Sequence, residues 1–386
     1  MKSVRASGLQ LSFQHDGTLL VRSPALGKAV RIPPAAIAVL SFCRDPHTEE
    51  EVKARFGQEG AGIYRLLVDS NVLVHPLEVD KDVAAFQRFV SVDDHRRLLG
   101  DRARIDAYAA ALAEVIEPGM VVMDAGTGTG ILACVAARAG ARKVYAVDHG
   151  NQLDLTRRVV ADSGLGDIVE CVQGDFATVD LPEQVDVVVT DTYGAFALAG
   201  GSAQDLEPCL RKHLAPGGVV VPGEISLHLA PVHAPKLHTK AVDMFGSVHG
   251  VDLRQLRGMA EAEGWTTQVP ASGLLHAGVV VARLPPTVGY VNGAARIEGL
   301  PPGRLLGLAA WFTLHLSTSM ELRTGPADPP TRWGQVYLPL TDLEVGVDGV
   351  LRLEVEVEPL EAGRGVQLRL DWTSGPLTGH KTWSVR

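Results

Sequence analysis

Reactive side chains in this sequence gather around one short stretch. Asp124-Ala125-Gly126-Thr127-Gly128-Thr129-Gly130 sets an acid and three alternate glycines behind the apolar run Val121-Val122-Met123. Helix formers, Leu132 to Arg138, come next. The order is strand, tight turn, helix. Glycines in such a turn leave the backbone amides and the helix N-terminus open to a ligand. Dinucleotide sites use G-x-G-x-x-G. Here the third glycine comes one residue early, and Ile131 stands where that pattern needs glycine. A second apolar run, Lys143 to Asp148, ends in an acid. About 20 residues past the glycine turn is where a carboxylate meets a ribose diol. A glycine turn alone also fits a flexible loop or an NAD site; with the acid-ended second strand and the elements that follow, it points to a nucleoside.

Those residues need a parallel sheet to hold them. Val121 to Asp124 and Lys143 to Asp148 are short apolar runs of the kind buried in parallel sheets. Ile168 to Gln173 reads as a third strand, followed by a loop with Asp175 and Phe176. Val185 to Thr190 is a fourth, ending at Asp191, and strand ends of this kind carry the chemistry of open α/β sheets. Leu214-Ala215-Pro216-Gly217-Gly218 stops a helix and turns into a fifth strand ending at Pro222.

The stretch Val121–Leu132 resembles the S-adenosyl-L-methionine (SAM) site of class I methyltransferases. By that resemblance Asp124, Gly126, Gly128 and Gly130 surround the cofactor, Asp148 meets its sugar hydroxyls, and Asp175 and Phe176 lie near the adenine. The product would be S-adenosyl-L-homocysteine. The preceding segment is similar to that of protein arginine methyltransferases. His95, Leu98, Asp101, Arg104 and Tyr108 fall on the family's H-x-x-[ML]-x-x-D-x-x-R-x-x-x-Y pattern, which folds over the cofactor. The resemblance gives Arg104 the methionine carboxylate, and a planar guanidinium suits a carboxylate. It covers about Phe86 to Arg386.

Departures from that family fall where the acceptor binds. The family holds a guanidinium between two glutamates nine residues apart on the loop after the fourth strand. Asp191 stands at the first position and Gly200 at the second. An acid that often follows the third strand is Ala177 here. The family's Thr-His-Trp loop reads Thr331-Arg332-Trp333. Negative charge is lost and fixed positive charge gained. Losing one charged hydrogen bond weakens binding roughly 10- to 100-fold. An anionic or neutral acceptor therefore suits the site better than a guanidinium. Arg332 would steady a carboxylate or pair with Asp191; Asp191 would orient the nucleophile or take its proton.

Composition bounds the rest. The chain has 386 residues, 46% apolar and 21% charged, enough for two or three globular domains. No apolar run approaches the roughly 20 residues of a membrane span. A net charge of −9 argues against nucleic acid as the main partner. Cys43, Cys134, Cys171 and Cys209 are scattered, which reads as reduced thiols of a cytoplasmic protein without a metal site.

The expected fold class is α/β in three parts. Residues 1–80 form a small winged-helix-like domain. It has strands over Leu9–Phe13 and Leu19–Arg22 around the turn His15-Asp16-Gly17, three short helices and an edge strand Asn71–Val74. Its second helix opens on the capping box Thr48-Glu49-Glu50-Glu51. It is similar to the precursor-peptide-recognition domains of peptide-tailoring enzymes, and equally readable as a cap on the catalytic domain. A charged helix follows over Asp80–Phe89. Residues 81–222 form the Rossmann-like SAM domain. Residues 223–386 form an antiparallel β-barrel, since Glu224–Leu229, Leu351–Val357 and Val366–Trp372 alternate apolar and polar. By resemblance a helical arm about 250–277, with Leu253, Leu256 and Met259 on one face, docks on a second subunit. The function implied is methyl transfer from SAM to an N or O nucleophile of a peptide, as in tailoring of a ribosomally made peptide. Asp191, Arg332 and Trp333 are the acceptor-side candidates. Arginine methylation, small-molecule methylation and a non-catalytic binding role stay open.

Overall fold

The computed structural model describes residues 2–5, 10–14, 17–22, 30–43, 47–70, 72–74, 92–149, 153–200, 202–341, 343–360 and 365–385. The expected turn at His15 and Asp16, the helix over Asp80–Phe89 and the start of the edge strand at Asn71 lie outside these residues. The chain divides into two compact units, 1–97 and 98–386.

In the first unit β1 (Lys2–Arg5) lies between β5 (His47–Thr48) and β6 (Leu73–Val74), all antiparallel. A second antiparallel sheet joins β2 (Gln10–Phe13), β3 (Leu19–Arg22) and β4 (Val30–Ile32). Neither β1 nor β4 was legible in the sequence, because each is too short to show a period. Helices α1 (Ala36–Phe42) and α2 (Glu49–Asp69) follow. The expected second and third helices are the two arms of α2, broken at Gly57, whose φ of 70° and ψ of −165° leave the helix. The capping box opens α2: Thr48 Oγ1 accepts from the Glu51 N–H at 3.2 Å, and Glu51 Oε2 accepts from the Thr48 N–H at 2.8 Å. A core of Leu19, Val21, Ile32, Val39, Leu40, Ile63 and Leu67 holds this unit together.

Helix α3 (Val92–Gly100) crosses the division. In the second unit α4 (Arg102–Val115) leads into β7 (Val121–Ala125), α5 (Ile131–Arg138), β8 (Lys143–Asp148) and α6 (Leu153–Asp162). Then come β9 (Val169–Gln173), β10 (Val185–Val189), α7 (Ser202–His213) and β11 (Leu214–Val221). The strands form one parallel sheet in the order β11-β10-β7-β8-β9. The order of connection reverses between β7 and β10, and the crevice at such a switch point binds ligands. Val121 to Ala125 are all buried, as expected of a strand covered on both faces.

After β11 the chain builds a ten-stranded, nearly closed sheet. Its longest members, Glu224–Val232, Gly307–His315, Leu351–Pro359, Val366–Ser374 and Leu377–Val385, include the three alternating segments read from the sequence. Along Leu351–Val357, Leu351, Leu353, Val355 and Val357 are buried while Arg352 and Glu354 are exposed, the two-residue period in full. Barrel and parallel sheet share one hydrophobic core, running from Tyr108 to Val385.

The arm expected over 250–277 is largely not helical. Its helix spans Arg254–Glu261 only. Glu263–Thr267 is a barrel strand, pairing Trp265 with Tyr337. The β-branched and aromatic residues Trp265, Thr266 and Thr267 fit the half-buried surface of the sheet better than a helix. Among the described residues no helix is long and apolar enough to cross a membrane.

Candidate active site

The glycine turn is built as its residues require. Gly126, Gly128 and Gly130 have φ of 82°, 55° and 81°. A side chain at Gly126 would collide with Thr192, and one at Gly130 would come within 2.7 Å of Thr156 Cγ2. Gly130 caps α5. Beneath the turn, Asp124 is fully buried, and its Oδ2 accepts from Thr127 Oγ1 at 2.6 Å and from the Ala133 N–H at 2.9 Å. Burial outweighs those two bonds and raises its carboxyl from 3.8 to about 7. Asp148, at the end of β8, accepts from the Gly128 N–H at 2.9 Å. The acid that ends the second strand and the loop are therefore one structure. Thr156 Oγ1 donates to the Gly128 carbonyl at 2.6 Å and fixes the far side. Asp175 caps its own turn, accepting from the Ala177 N–H at 2.9 Å, with Phe176 half-buried beside it.

Across the crevice Arg104, Asp191 and Arg332 come together from three distant segments. Arg104 lies in the first turn of α4 and is 2% exposed. Its Nη1 makes a short, charged contact with Asp191 Oδ2, and its Nη2 donates to the Leu98 carbonyl at 2.6 Å. Arg332 does not pair with the Asp191 carboxylate, the partner offered by the sequence. Arg104 already holds that group, so the Arg332 Nη2 donates to the backbone carbonyls of Asp191 at 2.8 Å and Tyr193 at 3.3 Å. Trp333 donates from Nε1 to the Tyr193 carbonyl at 2.6 Å, and its ring lies 4.5 Å from the Arg332 guanidinium carbon. Burial pulls the Arg332 guanidinium below its ordinary range; Asp191 opposes that shift.

The loop after β10 brings no further carboxylate. Phe196, Ala197, Leu198 and Ala199 are all buried, and Gly200 follows them without a side chain. Phe196 and Ala197 hold left-handed φ of 52° and 60°. Such backbone persists only where packing enforces it.

Asp101, Tyr108 and Thr190, assigned no individual role from the sequence, join the site. Asp101 accepts at Oδ1 from the Arg104 N–H at 3.2 Å and at Oδ2 from the Arg332 N–H at 2.8 Å. One carboxylate thus caps the helix of one arginine and fixes the backbone of the other. Its place three residues before Arg104 was the available signal, since that is helix-cap spacing. Tyr108 donates to the Thr190 carbonyl at 2.8 Å, and Thr190 donates to the Ala125 carbonyl at 2.9 Å, locking β10 to β7. His95 is half-buried on α3.

A family model described as a methyltransferase domain matches residues 122–218. Protein arginine N-methyltransferase PRMT10 of Oryza sativa subsp. japonica is 32% identical over 309 residues, covering 69% of this chain and 81% of that relative. The chain belongs to the protein arginine N-methyltransferase family. A probable protein arginine N-methyltransferase 6.1 of the same plant is 27% identical over 353 residues, covering 80% of this chain and 89% of the relative. Among solved structures, the Trypanosoma brucei PRMT1 enzyme–prozyme heterotetrameric complex with AdoHcy matches with a TM-score of 0.71. That match has 22% identity and covers 77% of this chain and 99% of that one. Arabidopsis thaliana protein arginine methyltransferase 10 matches with a TM-score of 0.65 at 23% identity, with the same coverage of both chains. These two likenesses show the fold: a Rossmann-like domain followed by a barrel. As a member of the arginine methyltransferase family with its methyltransferase domain, the protein is a SAM-dependent methyltransferase.

Proposed function

We propose that this arginine methyltransferase-family protein moves the methyl group of SAM to an N or O nucleophile of a peptide or protein other than a guanidinium. One observation carries the reading. The acceptor side offers two guanidinium groups, and Asp191, the one acid of the loop after β10, already holds Arg104. A substrate guanidinium would meet positive charge there and find no free pair of carboxylates.

The residues divide into two sets. The amides around Gly126, Gly128 and Gly130 wrap the nucleoside, Asp148 takes the ribose hydroxyls, and Asp175 and Phe176 border the adenine. Arg104 takes the methionine carboxylate, and Asp124 braces the loop from below. Two features support the fit. Three glycines at positive φ leave the amides of the turn uncovered by side chains, and Arg104 Nε is buried without a hydrogen-bond partner. When bound, SAM supplies the electrophilic methyl. The protein supplies position and orientation, the larger share of such catalysis. On the acceptor side Asp191, Arg332 and Trp333 set where the nucleophile sits.

Residues 1–80 hold a peptide leader in this reading, and the helical arm docks on a second copy in the cytoplasm. Exposed Met244, Val248, Val251, Leu256 and Met259 support the docking, because this much apolar surface usually has a partner. A second reading, methylation of arginine in proteins, is favoured by the names of the relatives. Mass spectrometry of peptides incubated with the protein and SAM separates the two. A gain of about 14 Da on a residue other than arginine, a methyl group in place of hydrogen, supports the first; a gain confined to arginine rejects it. Removing residues 1–80 abolishes transfer if a leader must dock, and leaves it intact if they only cap the enzyme or the substrate is a small molecule. Absence of SAM binding in calorimetry would leave only a non-catalytic role.

A further inference from the structure

We propose that the acceptor is a carboxylate, so that the product is a methyl ester, and that Arg332 selects it. The inference deepens the reading above and rests on it.

Charge gives the first argument. At the acceptor end the described residues place Arg104 and Arg332 against Asp101 and Asp191, a local balance of zero. Asp148 and Asp124 are already engaged by backbone amides of the glycine turn and of α5. SAM then adds a net charge of +1: its ammonium and carboxylate cancel, and its sulfonium lies beside the acceptor. In a buried site a neutral acceptor leaves that charge uncompensated, and an ammonium or guanidinium doubles it. Only an anion cancels it.

Unfilled donors give the second. Arg332 Nε is buried with no hydrogen-bond partner. Arginine offers five donors and no acceptor, so only an acceptor group completes it. Unmet buried donors carry a substantial penalty, which a carboxylate oxygen removes.

The bond changes give the third. A carboxylate oxygen attacks the sulfonium methyl; the O–CH3 bond forms as the S–CH3 bond breaks. The bonding pair leaves with sulfur, which becomes a neutral thioether. No proton moves. Amides, ammonium groups and guanidinium groups must each shed a proton to a base. Position 332 holds a side chain that stays protonated at any working pH, and Arg104 already occupies Asp191. Such a site suits a nucleophile that arrives ionised.

The test uses the full chain, SAM carrying a tritiated methyl, and a mixed library of short peptides with aspartate, glutamate and free C-termini. A matched library has every carboxyl amidated. Label is expected in the free-acid library, at least about tenfold above the amidated one, and is released as volatile methanol by mild base. Arg332→Gln should lower transfer roughly 10- to 100-fold, the worth of one charged hydrogen bond. Arg332→Lys should recover part of it, and SAM binding in calorimetry should hold within about threefold in both variants. With the free-acid library kcat/KM should stay flat above about pH 6, where carboxylates are already ionised; an amine acceptor would make it climb. Base-stable label on lysine, histidine or an amide nitrogen would overturn ester formation and leave methyl transfer to a non-guanidinium group standing. Base-stable label on arginine, or no label in any peptide, would overturn both.

Discussion

The two sides of the crevice are made differently. On the cofactor side the parts are mostly local: Asp124, Gly126, Gly128, Gly130 and Asp148 fall within one β-α-β unit, and most contacts use backbone atoms. On the acceptor side the parts are remote side chains. Arg104 meets Asp191 across 87 positions, and Arg332 meets Asp191 across 141. Backbone geometry fixed by a turn tolerates little change. A cluster of charged side chains can be rewritten one residue at a time, and with it the substrate. On the proposed assignment the cofactor side keeps the family's glycine turn and acids, while the acceptor side differs at Asp191, Gly200 and Arg332.

That contrast can be broken at several points. The largest effect should come from Gly126→Ala. The added methyl meets Thr192 and sits at a φ of 82°, so SAM affinity should fall at least about 100-fold by calorimetry, more than two broken hydrogen bonds cost. Near-normal affinity would mean the turn is not the cofactor site. Next is Asp191→Ala, which strands Arg104 at 2% exposure. Removing one partner of a buried pair costs about 3–5 kcal/mol. Asp191 itself is 19% exposed, which places the expected loss in urea unfolding at the low end of that range. A change within error would show that the pair contributes nothing to the folded state.

Asp124→Asn tests the cofactor side through pH. Both of its bonds converge on Oδ2, so an asparagine oxygen can keep them. The folded carboxyl is raised to about 7 from 3.8, so the unfolded chain ionises first. The native protein therefore loses stability relative to the variant as pH climbs from about 4 to about 7, by roughly 1.4 kcal/mol per unit at most. Denaturant midpoints at pH 4 and pH 8 should show the variant gaining on wild type at the higher pH; parallel behaviour would mean Asp124 titrates normally.

The smallest effect belongs to Glu114, near the C-terminal end of α4. It accepts from Ser317 Oγ at 2.6 Å, Ser319 Oγ at 2.5 Å and from the Thr318 hydroxyl, joining the Arg104 helix to a barrel turn. Those hydroxyls lower its carboxyl from 4.5 to about 2. A depressed folded value means the contribution is present above about pH 4.5 and lost as pH falls toward 2. Glu114→Ala should lower the thermal midpoint slightly at pH 7, and the gap should close in acid. An equal gap at both pH values would assign the effect to packing instead.

The sequence by itself determined the parallel sheet, its glycine turn, the acids at the ends of β8 and β10, and the alternating barrel strands. All of these follow from neighbour spacing, because a strand shows its period over a few residues and a turn shows its glycines. It also determined which residue types stand at the acceptor positions. Only the tertiary structure decided how those residues pair. Arg104 takes the Asp191 carboxylate, Arg332 is left with carbonyls, and Asp101 anchors both arginines. The tertiary structure also turned Glu263–Thr267 from an expected helix into a barrel strand, by setting Trp265 against Tyr337. Charge pairing and strand partnership depend on segments far apart in the chain, and local spacing carries no record of which of them meet.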